Sequence, residues 1–176
     1  MHTHTLTYGG SDQEWKLELN MYCDATLSLD RKSISGYIFL LASSAVSWSS
    51  KKQATIALST AEAKYVSTTH TAKQILWHQS LFNELEIPQP ETSILFSDNQ
   101  ATIAISHYPE FHAHTKHINI AHHFLHDLVE SGTIKIIYIQ TGENLADVFM
   151  KGLLKPLHQD LTTGIGVISD RGGELE

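Results

Sequence analysis

The sequence predicts an α/β domain: a mixed sheet covered by helices. Three observations carry that reading. Apolar alternation of period two is crowded into residues 17–50. One long stretch from Ser59 to about Asn83 repeats its apolar residues at helical spacing. Beyond it, short β-branched runs take turns with further helical segments. With 176 residues the chain can bury one good core and hardly two. Hydrophobic residues are 41% and charged residues 18%, a balance of folded rather than disordered chains. No apolar run approaches the roughly 18 residues of a membrane span, so no membrane partner is expected.

In order, Leu17, Leu19, Met21 and Cys23 share one face of a strand that is read as ending on Asp24. Ser35–Ala42 and Ala45–Ser49 are the next two strands, joined through Ser43-Ser44, so Met21–Ser50 reads as a meander. In the long helix, Ala61, Tyr65, Ala72, Leu76 and Phe82 mark the apolar stripe, and Pro88 and Pro90 punctuate the segment after it. Ser93–Asp98 is a short strand that also ends on an acid, and a helix over Gln100–Ser106 is stopped by Tyr108-Pro109. Thr115–Glu130 reads as a helix ended by Gly132, and Ile134–Ile139 as a strand. A helix over Asn144–Lys151 closes the pattern. The Gly-rich end reads as a loose tail, and Trp48 and Trp77 fall on core positions.

Charge and cysteine content narrow the function. A net charge of −7 excludes binding to nucleic acid through bulk positive charge, leaving local basic patches or bridging cations. Lys51-Lys52 and Arg31-Lys32 are such pairs, readable as phosphate contacts or as ordinary solvated charge. The single cysteine, Cys23, excludes an internal disulfide and points to a reducing compartment. The opening MHTHTLTYGG lacks the blocks of a secretory signal, so the protein is not expected to be secreted.

Four acids invite a catalytic reading, although each has a structural one. Asp24 can open a turn. Glu62 follows Ser59 in a capping-box spacing, Asp98 can cap the helix after it, and Asp147 stands three residues after Asn144. Together they differ from four separate caps. Two lie where strands run out and two in first turns of helices, the places where an open α/β sheet gathers a site. Four such carboxylates repel one another unless divalent cations fill the space between them. That pattern fits two metal ions about 4 Å apart.

The segments DRKSISGYIFLL, SWSSKKQATIALSTAEAKY, FSDNQATIAI, FHAHTKHINIAHHF and NLADVFMKGL resemble, in order, the ribonuclease H segment that ends the Pol polyprotein of copia-type retrotransposons. The resemblance runs from about Leu17 to Leu157. It implies a ribonuclease H-like fold, a five-stranded mixed sheet with helices on both faces. It also implies three parts: residues 1–16 as a linker remnant from a reverse transcriptase, 17–157 as the domain, and 158–176 as a loosely ordered tail.

The activity implied is metal-dependent cutting of the RNA strand of RNA-DNA hybrids, leaving a 3′-hydroxyl and a 5′-phosphate. The family's acids fall on Asp24, Glu62, Asp98 and Asp147. With two Mg2+ ions, or Mn2+ in their place, Asp24 is expected to bridge both, Glu62 and Asp98 to complete one, and Asp147 the other. Gln100 is the expected minor-groove contact and Ser59 a weaker one, since capping explains it equally well. The partners implied are an RNA-DNA hybrid and the reverse transcriptase domain of the same polyprotein, in cytoplasmic virus-like particles or the nucleus.

The sequence departs from the family at several places. Asp24-Ala25-Thr26-Leu27 stands for D-A-D-W, Lys64 for a second Glu, Asn119 for Asp, and Phe149-Met150-Lys151-Gly152-Leu153 for F-T-K-P-L. None of these removes an expected ligand, yet together they keep a second function open: a folded, catalytically inactive remnant serving as scaffold or nucleic-acid-binding module. Six histidines, His112, His114, His117, His122, His123 and His126, open a third. His122 and His126, four apart on a helix, could share zinc, but no third ligand is evident.

Overall fold

A computed structural model describes residues 3–8, 17–27, 32–107 and 116–170. Its strands are β1 (Thr3–Leu6), β2 (Asn20–Thr26), β3 (Ile34–Leu41), β4 (Ser44–Lys52), β5 (Ser93–Ser97), β6 (Ile134–Tyr138) and β7 (Val167–Asp170). Its helices are α1 (Thr60–Glu84), α2 (Gln100–His107), α3 (Lys116–Glu130) and α4 (Lys155–Gly164). The main sheet has the order β4-β3-β2-β5-β6. Strand β4 pairs antiparallel with β3 and β3 with β2, and β5 and β6 run parallel to β2 and to each other. This is the mixed five-stranded sheet that the resemblance implies.

Alternation in β2 and β3 sends side chains to two faces, and each face buries its own cluster. On one, Met21, Cys23, Tyr37 and Phe39 meet Tyr65, Ala72 and Ile75 of α1 and Leu125 of α3. On the other, Ile38 and Leu40 meet Ala45 and Ile165, with Tyr22, Leu145 and Phe149 alongside. The β3–β4 hairpin turns on Ala42 and Ser43, with φ of 49° and 63°. Two consecutive left-handed residues are what a two-residue turn needs to match the twist of its strands.

Several elements differ from the sequence reading, each for a visible reason. Strand β2 does not stop at Asp24: that residue pairs with Gly36, and the strand continues to Thr26. The helix expected over Asn144–Lys151 is instead a pair of 3-10 turns, Thr141–Glu143 and Leu145–Phe149. Asn144 is extended between them, its side chain accepting from the Ala146 N–H. Trp48 and Trp77 are each 57% exposed rather than core. Among the described residues, 158–170 carry regular structure where the sequence reading expects a loose tail. Within the expected tail, α4 runs to Gly164, Ile165 is buried, and β7 pairs antiparallel with β1 in a separate two-stranded sheet. The Tyr8 hydroxyl donates to the Ala45 carbonyl at 2.9 Å and the Ala45 N–H to Ile165 O at 3.1 Å, fastening this pair to the β3–β4 hairpin.

Candidate acidic site

Strands β2 and β5 run parallel, and Tyr22 is paired with Phe96. Two residues further along each strand path come Asp24 and Asp98, so the register alone brings these acids together at the carboxyl end of the sheet. Asp147 arrives from the other end of the chain, on the turn Leu145–Phe149. Gly36, opposite Asp24, admits that turn: a Cβ there would lie 2.6 Å from Met150 Cγ and 3.2 Å from Ala146 O. The fully buried Asn144 fastens it, donating from Nδ2 to the Cys23 carbonyl at 3.1 Å. Three of the four expected acids therefore share one place.

Two lysines share it with them. Lys64 Nζ donates to Asp98 Oδ1 at 2.6 Å and lies 2.9 Å from Asp24 Oδ1, an ion pair without hydrogen-bond alignment. Lys151 Nζ donates to Asp24 Oδ2 at 2.9 Å and to Asp147 Oδ1 at 2.8 Å. Thr141 Oγ donates to Asp98 Oδ2 at 3.0 Å. The result is a chain of charge: Asp98, Lys64, Asp24, Lys151, Asp147. All three carboxylate side chains are nearly inaccessible, and the lysine side chains retain only 18% and 26% of their exposure.

The electrostatics reflect this order. Burial pushes the Asp24 carboxyl up, but two ammonium groups outweigh it and leave the carboxyl below its ordinary value. Asp147 has one ammonium and the like charge of Asp24. Burial dominates there and raises it to about 6. Burial lowers Lys64 and Lys151, and their carboxylate partners more than reverse that, so both are raised and stay charged.

Glu62 stands apart from the other three acids. Its Oε2 accepts from the Leu58 N–H at 2.6 Å, while its own N–H donates to Ser59 Oγ at 3.1 Å. It closes the helix cap and takes no part in the ion chain. Residues two apart on a helix point about 200° apart, so α1 cannot turn both Glu62 and Lys64 to the cluster. The phase of α1 chooses Lys64, which lies four residues before Thr68, whose hydroxyl meets Cys23 Sγ at 3.5 Å, and seven before the buried Thr71. That helical phase was the available signal for Lys64.

The remaining candidates are more ordinary. Ser59 is the exposed N-cap of α1. Gln100 stands exposed at the start of α2, two residues past Asp98. The cap there is Asn99, not Asp98, with Asn99 Oδ1 accepting from Ala101 and Thr102 N–H at 2.9 and 3.2 Å. His126 Nδ1 is 3.1 Å from Ser106 O, and His123 is exposed. His112 and His114, and the side chains of His117 and His122, lie outside the described residues, as does Arg31. Lys51 and Lys52, both exposed, line a hollow of about 230 Å3 with Gln53 and His70. Burial lowers the His70 imidazole, and Lys51 and Lys73 add to that.

The donor set does not fit two magnesium ions. Such ions need carboxylate oxygens at about 2.0–2.1 Å, and five of the six here are already held, four by ammonium groups and one by Thr141. Among the described residues no three His, Cys, Asp or Glu side chains are placed to hold one ion.

No protein-family model matches the chain. It is 38% identical over 149 residues to the retrovirus-related Pol polyprotein from transposon TNT 1-94 of Nicotiana tabacum, covering 83% of this chain and 11% of that protein. To the corresponding polyprotein from transposon RE1 of Arabidopsis thaliana it is 35% identical over 154 residues, covering 86% and 10%. The chain thus spans about a tenth of the length of the curated relatives it matches. Among solved structures, LC11-RNase H1, isolated from compost by a metagenomic approach, superposes with a TM-score of 0.54 at 11% identity, covering 77% of this chain and 94% of that one. The foamy viral protease-reverse transcriptase in complex with an RNA/DNA hybrid superposes at 0.50 and 15% identity, covering 83% and 21%. At these identities the structural likeness is one of fold.

Proposed function

Because this chain is a ribonuclease H-fold domain related to one segment of the retrovirus-related Pol polyproteins of plant transposons, we propose that it takes an RNA-DNA hybrid as its ligand and, in this copy, engages the hybrid without cutting it. The relatives support the first half, together with the foamy viral enzyme of the same fold, whose structure holds such a hybrid. The second half is carried by one observation: two ammonium groups hold the three aspartates that the hydrolytic reading needs. That network also removes an obstacle to binding. Three bare carboxylates would repel a phosphate backbone, whereas two lysines cancel most of their charge.

In a longer copia-type polyprotein the domain would work beside the reverse transcriptase domain, in virus-like particles. The competing reading is a magnesium-dependent ribonuclease H, favoured by the convergence of Asp24, Asp98 and Asp147 at the carboxyl end of the sheet. One experiment separates them. With a fluorescent hybrid, polarisation should report binding that weakens as salt is added, and the RNA strand should stay whole on a denaturing gel after incubation with MgCl2 or MnCl2. Absence of binding overturns the proposal. RNA shortened by the protein, and spared by EDTA or by Asp24→Asn, establishes the hydrolytic reading in its place.

A further inference from the structure

We infer that Lys64 and Lys151 are built-in counter-cations that stand where divalent ions would otherwise be needed. The acidic cluster then folds closed without metal, and Lys64 alone keeps divalent ions out. This deepens the proposed reading of the same site, but its test uses no nucleic acid. Each ammonium bridges two acids from different parts of the chain. Lys64 joins the neighbouring parallel strands β2 and β5, at Asp24 near the end of one and Asp98 just past the other. Lys151 joins Asp24 to Asp147, which lies on the turn four residues before it.

An ammonium is a compact charge with three donors and no acceptor, suited to bridging carboxylates. It also competes directly with a metal. At 2.6–2.9 Å from four carboxylate oxygens, Lys64 and Lys151 take the atoms that a hard cation would coordinate.

The two lysines are not equivalent. Lys151 follows an irregular turn and is the more exposed, so its side chain can swing away from Asp24 and remain solvated. Lys64 is carried by α1, whose start is fixed by the Ser59–Glu62 cap. Deeper contacts hold the helix to the sheet, with Thr68 on Cys23 and Ser67 Oγ donating to Asp24 O at 2.7 Å. Its ammonium is held between Asp24 and Asp98.

The test is thermal unfolding and calorimetry with MnCl2 alone. The unaltered protein should show the same Tm in EDTA and in millimolar MnCl2, with no saturable heat. Lys64→Met keeps the aliphatic stem and removes the charge. It should lose several degrees of Tm in EDTA and regain them in MnCl2, with a saturable heat that Lys64→Met/Asp98→Asn lacks. No divalent response in a folded Lys64→Met overturns the inference. So does saturable Mn2+ binding by the unaltered protein that Asp24→Asn abolishes. Should Lys64→Met fail to fold, the titration of the unaltered protein still decides between the two. Loss of hybrid binding would leave this result untouched, and the converse holds as well.

Discussion

Cys23 and Asp24 are neighbours on β2, equally buried, and leave the strand on opposite faces. Cys23 enters an apolar cluster with Met21, Phe39, Leu95 and Ile75. Asp24 enters a corner held by Lys64 and Lys151. The first environment is non-directional: it depends on filled volume. The second is a balance of discrete charges, in which every member has a stated partner. Removing a methylene from the first leaves a gap. Removing a charge from the second leaves its partner buried and uncompensated. The two sides of one strand should therefore fail in different ways.

The largest effect is expected on the apolar side. Phe39, fully buried and edge-on to the His78 ring at 4.6 Å, should lose about 3–5 kcal/mol on Phe39→Ala in urea unfolding. That loss should be insensitive to salt. Asp24→Asn should cost about 3 kcal/mol, because it takes from both ammonium groups a charge they share. A loss below about 1 kcal/mol would mean that the corner behaves as solvated surface.

Next comes the joint between the two regions. Gly36→Ala should cost about 1–3 kcal/mol by pressing on Met150 and on the Ala146 carbonyl. Adding Met150→Ala should recover only part of it, since the carbonyl stays in place.

The smallest effect belongs to Cys23. Burial pushes its thiol up to about 12, so the native protein should resist alkylation at pH 8 while the unfolded chain reacts. The folded pKa lies above the unfolded value. This group's contribution is therefore complete below about pH 8.5 and is lost as pH climbs toward 12. Cys23→Ala should flatten that alkaline decline in Tm.

The same contrast separates what could be read from the sequence from what could not. The apolar side was legible because period-two alternation and helical spacing are local signals: Met21, Cys23, Tyr65 and Ala72 sit where the pattern puts them. The strand-end reading fits Asp98, one residue past β5, but not Asp24, which is still paired inside β2; Asp147 was noticed through its motif. The ion pairs were not, because Lys151 meets Asp24 across 127 positions of chain and no local pattern encodes such a meeting. Lys64 was visible as a departure from the family, but the family's acids drew attention to Glu62, for which the capping spacing offered the structural reading. Only the phase of α1 against the sheet decides which of the two enters the cluster. The turn around Asn144 resembles a helix in sequence, but a buried side chain there replaces the backbone bonds a helix would use. Trp48 and Trp77 show the limit of hydrophobicity as a guide. Both are large and apolar, and both face outward.

A crystal of the unaltered protein soaked in MnCl2, with anomalous scattering recorded at the manganese edge, addresses the corner most directly. The predicted map shows no manganese among Asp24, Asp98 and Asp147, with Lys64 Nζ within hydrogen-bond reach of Asp98. Paired manganese peaks about 4 Å apart, with the Lys64 side chain turned into solvent, would contradict the account.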